Sequence, residues 1–238
     1  MFKKINIIFF SANRAEYSLI EPFIKIFASN NKFNIGLIVS GSHLDKKFGN
    51  TLNEIKKDNI KILSKIKVTL RTNSLIDTAE YSNLLQKEIN KELRKIKADI
   101  VFLSSDRFET FAFAVSTYLR KIPIIHYEGG DITEGGALDD NLRHAITKLS
   151  NIHLASNKFS MNRIIKMGEE KWRCLNVGYS PLHSINMSKF DYQKIINQFS
   201  LRSDRPFILF TLHPLVLEKN RFQKEINESF KALEKLYK

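Results

Sequence analysis

Short apolar runs alternate with longer amphipathic stretches from the first residues to about position 178, and that rhythm restricts the fold more than any other feature of the chain. The runs are INIIFF (5–10), NIGLIVS (34–40), DIVFLSS (99–105), IPIIHYE (122–128), IHLAS (152–156) and RCLNVG (173–178). Each is too short for a core helix, and most are apolar on consecutive rather than alternate positions, as in strands buried on both faces. Helical spacing marks the intervening segments near 17–29, 76–96, 108–120, 139–150 and 157–167. Strand and helix in strict alternation predict an α/β fold, a Rossmann-like doubly wound parallel sheet.

From Gln198 the pattern changes. LRSDRP reads as a linker, FILFTL (207–212) as a new strand and 221–237 as an amphipathic helix. One β-α unit cannot bury both its faces. Residues 1–200 are therefore expected to form a first Rossmann-like domain, and 201–238 a linker with the opening β-α unit of a second.

The net charge of +13 raises the question of nucleic acid. Its lysines are spread over nearly every predicted helix, as in IKKDNIKILSKIK, KEINKELRKIK and KALEKLYK, without a DNA- or RNA-binding motif or aromatic-basic alternation. Solvated helix faces explain them better. No segment approaches the roughly 20 apolar residues needed to span a bilayer, so no membrane partner is expected. The apolar run at 5–10 is shorter than a signal-peptide core and is followed at once by Asn13, Arg14 and Glu16, so it reads as a first strand. The single cysteine, Cys174, excludes an intramolecular disulfide framework and suits a reducing cytoplasm.

In doubly wound sheets, ligands bind at the carboxyl ends of strands, beside the point where strand order reverses. The segments that follow the predicted strands, SANRAEYS, GSHLD, SDRFE, EGGDITEGG and GYSP, are polar or glycine-rich. Neither a Gly-x-Gly-x-x-Gly nor a P-loop signature is present, and the six histidines are scattered, so no cofactor and no metal is expected. The stretch His126–Lys148 holds five acidic residues in a basic chain. Within it, DDNLRHAITKLS forms a helix with Leu142, Ala145, Ile146 and Leu149 as its apolar stripe. Asp139 can cap that helix, and Arg143 and Thr147 share its face. Gly129, Gly130, Gly135 and Gly136 would let backbone approach a ligand. Glu128 and Asp106, at the ends of adjacent strands, face the same rim. Taken alone, Asp139, Asp140 and Arg143 read as a capped helix with an exposed ion pair; the neighbouring glycines and carboxylates extend that to general acid/base chemistry.

The order of NRAEYS (13–18), GSHLDKKFGNT (41–51), SDRFE (105–109), HYEGGDITEGGALDDNLRHAITKLS (126–150) and LHP (212–214) resembles the hydrolysing UDP-N-acetylglucosamine 2-epimerases of sialic and legionaminic acid pathways. The resemblance implies the N-terminal half of a GT-B-type two-domain architecture, binding a UDP-sugar between domains. The implied reaction eliminates UDP to a glycal and then adds water to give the 2-epimer. It assigns catalytic roles to Asp106, Glu128, Asp139, Arg143 and His213, with Arg14, His43 and Arg107 lining substrate. Of these, Asp106 and Glu128 are expected to transfer protons and Asp139 with Arg143 to orient. Ser105 stands where that family has a glycine. Family members continue into a nucleotide-holding second domain, so this chain alone is expected to be nearly or wholly inactive, working as a homo-oligomer or with a separate C-terminal half. A glycosyltransferase of the same architecture is the rival enzyme.

Overall fold

The computed structural model describes residues 3–49, 51–69, 75–133, 138–185, 191–212 and 219–237. The chain divides into two units, Met1–Ile185 and Asn186–Lys238.

In the first unit, seven parallel strands form one sheet: β1 (Ile5–Ser11), β2 (Phe33–Val39), β3 (Ile62–Lys65), β4 (Ile100–Ser104), β5 (Ile124–Tyr127), β6 (Ile152–Ala155) and β7 (Cys174–Asn176). Their order is β3-β2-β1-β4-β5-β6-β7, so strand order reverses between β1 and β4. The expected doubly wound sheet is the observed one. Helices α1 (Arg14–Ala28), α2 (Leu52–Lys57), α3 (Leu75–Glu92), α4 (Phe108–Tyr118), α5 (Leu138–Leu149) and α6 (Lys158–Lys166) connect them.

Successive strand residues point to opposite faces, and β1 divides its apolar side chains accordingly. Ile8 and Phe10 join Leu85, Phe113 and Ile146 from α3, α4 and α5 on one side. Ile7 and Phe9 join Ile20, Ile24 and Ile55 from α1 and α2 on the other. Phe10 stacks on Phe113 with ring centroids 4.4 Å apart, and Phe9 on Phe102 at 4.7 Å. With both faces covered, the strands are continuously apolar for a structural reason.

One sequence expectation fails inside the sheet. The lysine-rich IKKDNIKILSKIK, read as helical, instead ends α2 at Lys57 and then forms β3. β3 is an edge strand of four half-exposed residues whose backbone pairs with Leu37, Ile38 and Val39. Its neighbour's hydrogen bonds define it, and an edge strand with charged ends carries little apolar signal.

In the second unit, α7 (Tyr192–Gln198) is capped by Asp191, whose side chain accepts the Lys194 N–H at 3.0 Å, and α8 spans Lys219–Tyr237. α8 is the helix expected at 221–237. Residues 207–212 form no strand, and Phe207 to Phe210 are exposed. A strand exists only through a paired neighbour, and no other strand occurs among the described residues of this unit.

Candidate active site

Registration of the central strands brings their carboxyl ends to one level. Leu103 and Ser104 pair with His126 and Tyr127, and the ladder continues as Ser105 N–H donates to Tyr127 O at 3.0 Å and Glu128 N–H to Leu154 O at 3.0 Å. Asp106 and Glu128 thus leave adjacent strands side by side. Both turns are forced: Ser105 has φ 71° and Glu128 φ 62°, in the left-handed region that costs a side-chain-bearing residue about 1–2 kcal/mol. The strain at Ser105 gives a backbone reason why glycine suits this position in the family it resembles.

Helix α5 supplies the cation. Arg143 Nη2 donates to Asp106 Oδ2, and Nη1 to Asp140 Oδ1 at 2.8 Å. The sequence paired Arg143 by face with Asp139; the structure pairs it with Asp140, three residues away rather than four. Asp140 is turned inward and also accepts the Thr133 N–H at 2.8 Å and the Thr133 hydroxyl at 3.1 Å, tying the loop to the helix. Asp139 stands free of that network and more exposed. Burial, then the Asp106 charge, push its pKa up.

Glu128 differs from its neighbours. No described residue donates a hydrogen bond to its carboxyl group. Burial, reinforced by the charges of Asp131 and Asp106 and opposed by Arg143, raises its pKa to about 7. A carboxyl group with that midpoint can take up and release a proton near neutral pH. Asp106 is instead held by Arg143 and by the Ser105 hydroxyl, which donates to it at 2.9 Å.

His126 supports this rim from beneath. Its Nε2–H donates to Ser105 O at 2.9 Å, and Nδ1 lies 3.1 Å from the Thr147 hydroxyl on α5. Burial pushes its pKa down to about 3, so the imidazole is neutral. The glycines after it serve packing. A Cβ at Gly129 would lie 2.7 Å from Thr147 Oγ1, and one at Gly130, with φ 76°, would strike Ser160 O of α6. These two glycines admit neighbouring helices rather than a ligand. Gly135 and Gly136 lie outside the described residues.

The other sequence-selected positions are distributed around the rim. Arg14 is exposed at the first position of α1, where Asn13 caps the helix by accepting the Glu16 N–H at 2.9 Å. Arg107, at the start of α4, pairs with Glu109 at 3.1 Å and lies over the Phe108 ring. His43 is fully buried, its Nε2 2.8 Å from Ser11 Oγ and its Nδ1 2.7 Å from Thr51 Oγ1. Both ring nitrogens are used inside the fold, so His43 braces the loops after β1 and β2 from within. His213 lies outside the described residues. The segment after β7 is fastened by Tyr127, whose hydroxyl donates to Gly178 O at 3.0 Å and accepts the Ser180 N–H at 2.7 Å.

Sequence reasoning left out Asp140, Glu16 and Glu109. Asp140 had a signal, its i,i+3 spacing to Arg143. The two glutamates stood inside quoted motifs, but nothing in their spacing revealed that both are buried. Among the described residues, no group of three or more His, Cys, Asp or Glu is placed to hold a metal ion, and no helix is long and apolar enough to cross a membrane.

Residues 25–238 match the family model described as UDP-N-acetylglucosamine 2-epimerase. The chain is 33% identical over 232 residues to the UDP-N,N'-diacetylbacillosamine 2-epimerase (hydrolyzing) of Legionella pneumophila, covering 92% of this chain and 59% of that protein. It is 32% identical over 227 residues to the GDP/UDP-N,N'-diacetylbacillosamine 2-epimerase (hydrolyzing) of Campylobacter jejuni, covering 95% and 59%. The chain thus spans about three fifths of these relatives' length. Among solved structures, the Neisseria meningitidis UDP-GlcNAc 2-epimerase bound to UDP-GlcNAc superposes with a TM-score of 0.69 at 20% identity, over 87% of this chain and 54% of that one. The S. aureus MnaA–UDP structure gives 0.74 at 18%, over 98% and 59%. At such identities the likeness establishes the fold: an α/β parallel sheet matching part of these epimerases.

Proposed function

Since the chain belongs to the UDP-N-acetylglucosamine 2-epimerase family, we propose that it carries the acidic half of a hydrolysing nucleotide-sugar 2-epimerase. Its substrate would be a UDP-linked 2-acetamido sugar. N,N'-diacetylbacillosamine is favoured over N-acetylglucosamine by the likeness to the Legionella and Campylobacter diacetylbacillosamine 2-epimerases. The observation that carries the reading is Glu128, a carboxyl group with a pKa near 7 beside the Asp106–Arg143 pair.

In the proposed reaction the C1–O bond to UDP breaks and UDP leaves with the bonding electrons, while the C2–H proton passes to a carboxylate. The electrons of that C–H bond form the C1–C2 double bond of the glycal. Water then adds its hydroxyl to C1, and a proton is delivered to the opposite face of C2, so the sum is UDP-sugar plus water giving UDP plus the free 2-epimer. A C2 proton is acidic only while C1 carries oxocarbenium-like charge. The Asp106 carboxylate, paired with Arg143, stabilises that charge, and Glu128 carries the proton. This narrows the sequence expectation, which gave both acids to proton transfer. Asp139, raised but partly exposed, fits delivery of water or proton on the second face. Arg14 would meet the diphosphate, and His43 would act by holding the loops; His213, expected to assist departure of UDP, lies outside the described residues. The nucleotide is proposed to be held by the part of the relatives that this chain does not cover.

The test runs in D2O with both UDP-sugars. The chain joined in frame to the uncovered part of the Legionella relative should release UDP and a free sugar carrying deuterium at C2, whereas the unjoined chain should show no steady release. A folded chimera that binds UDP-sugar but returns C2 with its original hydrogen would overturn the elimination reading. Steady release by the unjoined chain would overturn the half-enzyme reading.

A further inference from the structure

Glu16 and Glu109 lie where strand order reverses, one in the first turn of α1 and the other in the first turn of α4. Each is 2% exposed. Glu16 accepts the Ala12 N–H at 2.7 Å and the Thr110 hydroxyl at 2.8 Å, so its carboxyl group joins the loop after β1 to α4. Glu109 accepts from Arg107, with Nε at 3.1 Å and Nη2 at 3.4 Å. A negative charge in the first turn of a helix is favourable. That accounts for either acid singly, but not for two carboxyl groups buried together.

The balance of charge is informative. Two carboxyl groups face one guanidinium, and the buried Tyr81 phenol of α3 faces all three. Burial, then Glu109, raise the Glu16 pKa to about 7, so Glu16 is about half protonated at neutral pH. Arg107 is the outward end of the cluster: its side chain is 46% exposed, against 3% for Glu109. Burial opposes its charge, and Glu109, Glu16 and Asp139 outweigh that opposition. One cation therefore runs from a buried acid pair to the surface.

We propose that Glu16 and Glu109 are a positioning pair: Glu109 grips Arg107 and so fixes the direction of its half-exposed guanidinium, and Glu16 locks the β1 loop against α4 behind it. The consequence for catalysis rests on the epimerase reading; the linkage itself does not. A cation anchored at its buried end keeps its direction without being neutralised at its exposed end, which is what a charged substrate group needs.

The test uses the isotope-labelled chain and NMR, without substrate. In Glu109→Gln, exchange of the Arg107 Nε proton should accelerate about tenfold. Should that variant not fold, Arg107→Gln, made at a half-exposed side chain, should raise the Glu16 midpoint by about half a unit or more. A pair that does not hold Arg107 would leave the Nε exchange where it is. Unchanged exchange in the first variant, or an unchanged Glu16 midpoint in the second, would overturn the proposal. Loss of UDP release by the chimera would count against the epimerase reading while leaving these shifts intact.

Discussion

Arg143 of α5 reaches across 37 residues of sequence to pair with Asp106 at the end of β4, and its second nitrogen holds Asp140 of its own helix. One guanidinium fixes the distance between a strand end and a helix start. Its side chain is 11% exposed and that of Asp106 15%, so neither charge is well solvated. Replacing Arg143 by Met should leave two carboxylates crowded without a cation and cost about 3 kcal/mol. Urea unfolding at pH 7 checks this.

Glu128→Gln should have the opposite sign. The folded-state pKa of about 7 lies above the ordinary 4.5, so the native fold favours the protonated form. That preference is harmless below pH 4.5 and becomes a growing penalty as pH rises to 7. The glutamine variant should therefore be more stable than the parent at pH 8, on the order of 2 kcal/mol, and equal to it near pH 4. Thermal melts at the two pH values measure the difference. A site whose stabilising substitution removes the proposed proton carrier is characteristic of function held against stability.

The sheet was legible because β1, β2 and β4 are buried on both faces and must be apolar at consecutive positions, whereas β3 was hidden because an edge strand need not be. Asp106, Glu128 and Arg143 could be selected from sequence: the first two end apolar runs, and the third sits at helical spacing beside acids. Asp140 was missed because i+3 and i+4 partners are separated only by how the helix begins, which residues outside it decide. The roles of Glu16 and Glu109 were illegible for another reason. Their burial depends on the reversal of strand order that sets α1 beside α4, a long-range fact that no local pattern encodes.

Ser105→Gly should stabilise the protein by about 1 kcal/mol, because φ 71° is strained for serine and free for glycine. The gain is reduced by loss of the hydroxyl's bond to Asp106 at 2.9 Å. Gly130→Ala should do the reverse, adding strain at φ 76° and a clash with Ser160 O, with a loss of about 2 kcal/mol or more. Denaturant midpoints of the two variants, compared at constant m-value, test both.

His126 should remain neutral far below the ordinary range. Its folded pKa of about 3 lies under the ordinary 6.5, so the stability associated with the neutral ring is complete above pH 6.5 and is lost as pH falls toward 3. Ring carbon shifts should show no titration of His126 between pH 8 and 5. A midpoint near 6.5 would mean that the ring is not packed beneath Ser105 as described.

A side-chain carboxyl carbon titration of the labelled chain tests the proposed proton-carrying role of Glu128 most directly. A midpoint of about 7 is expected for Glu128. A midpoint near the ordinary 4.5 would make Glu128 a fully ionised rim acid at neutral pH and would contradict the mechanism built on it.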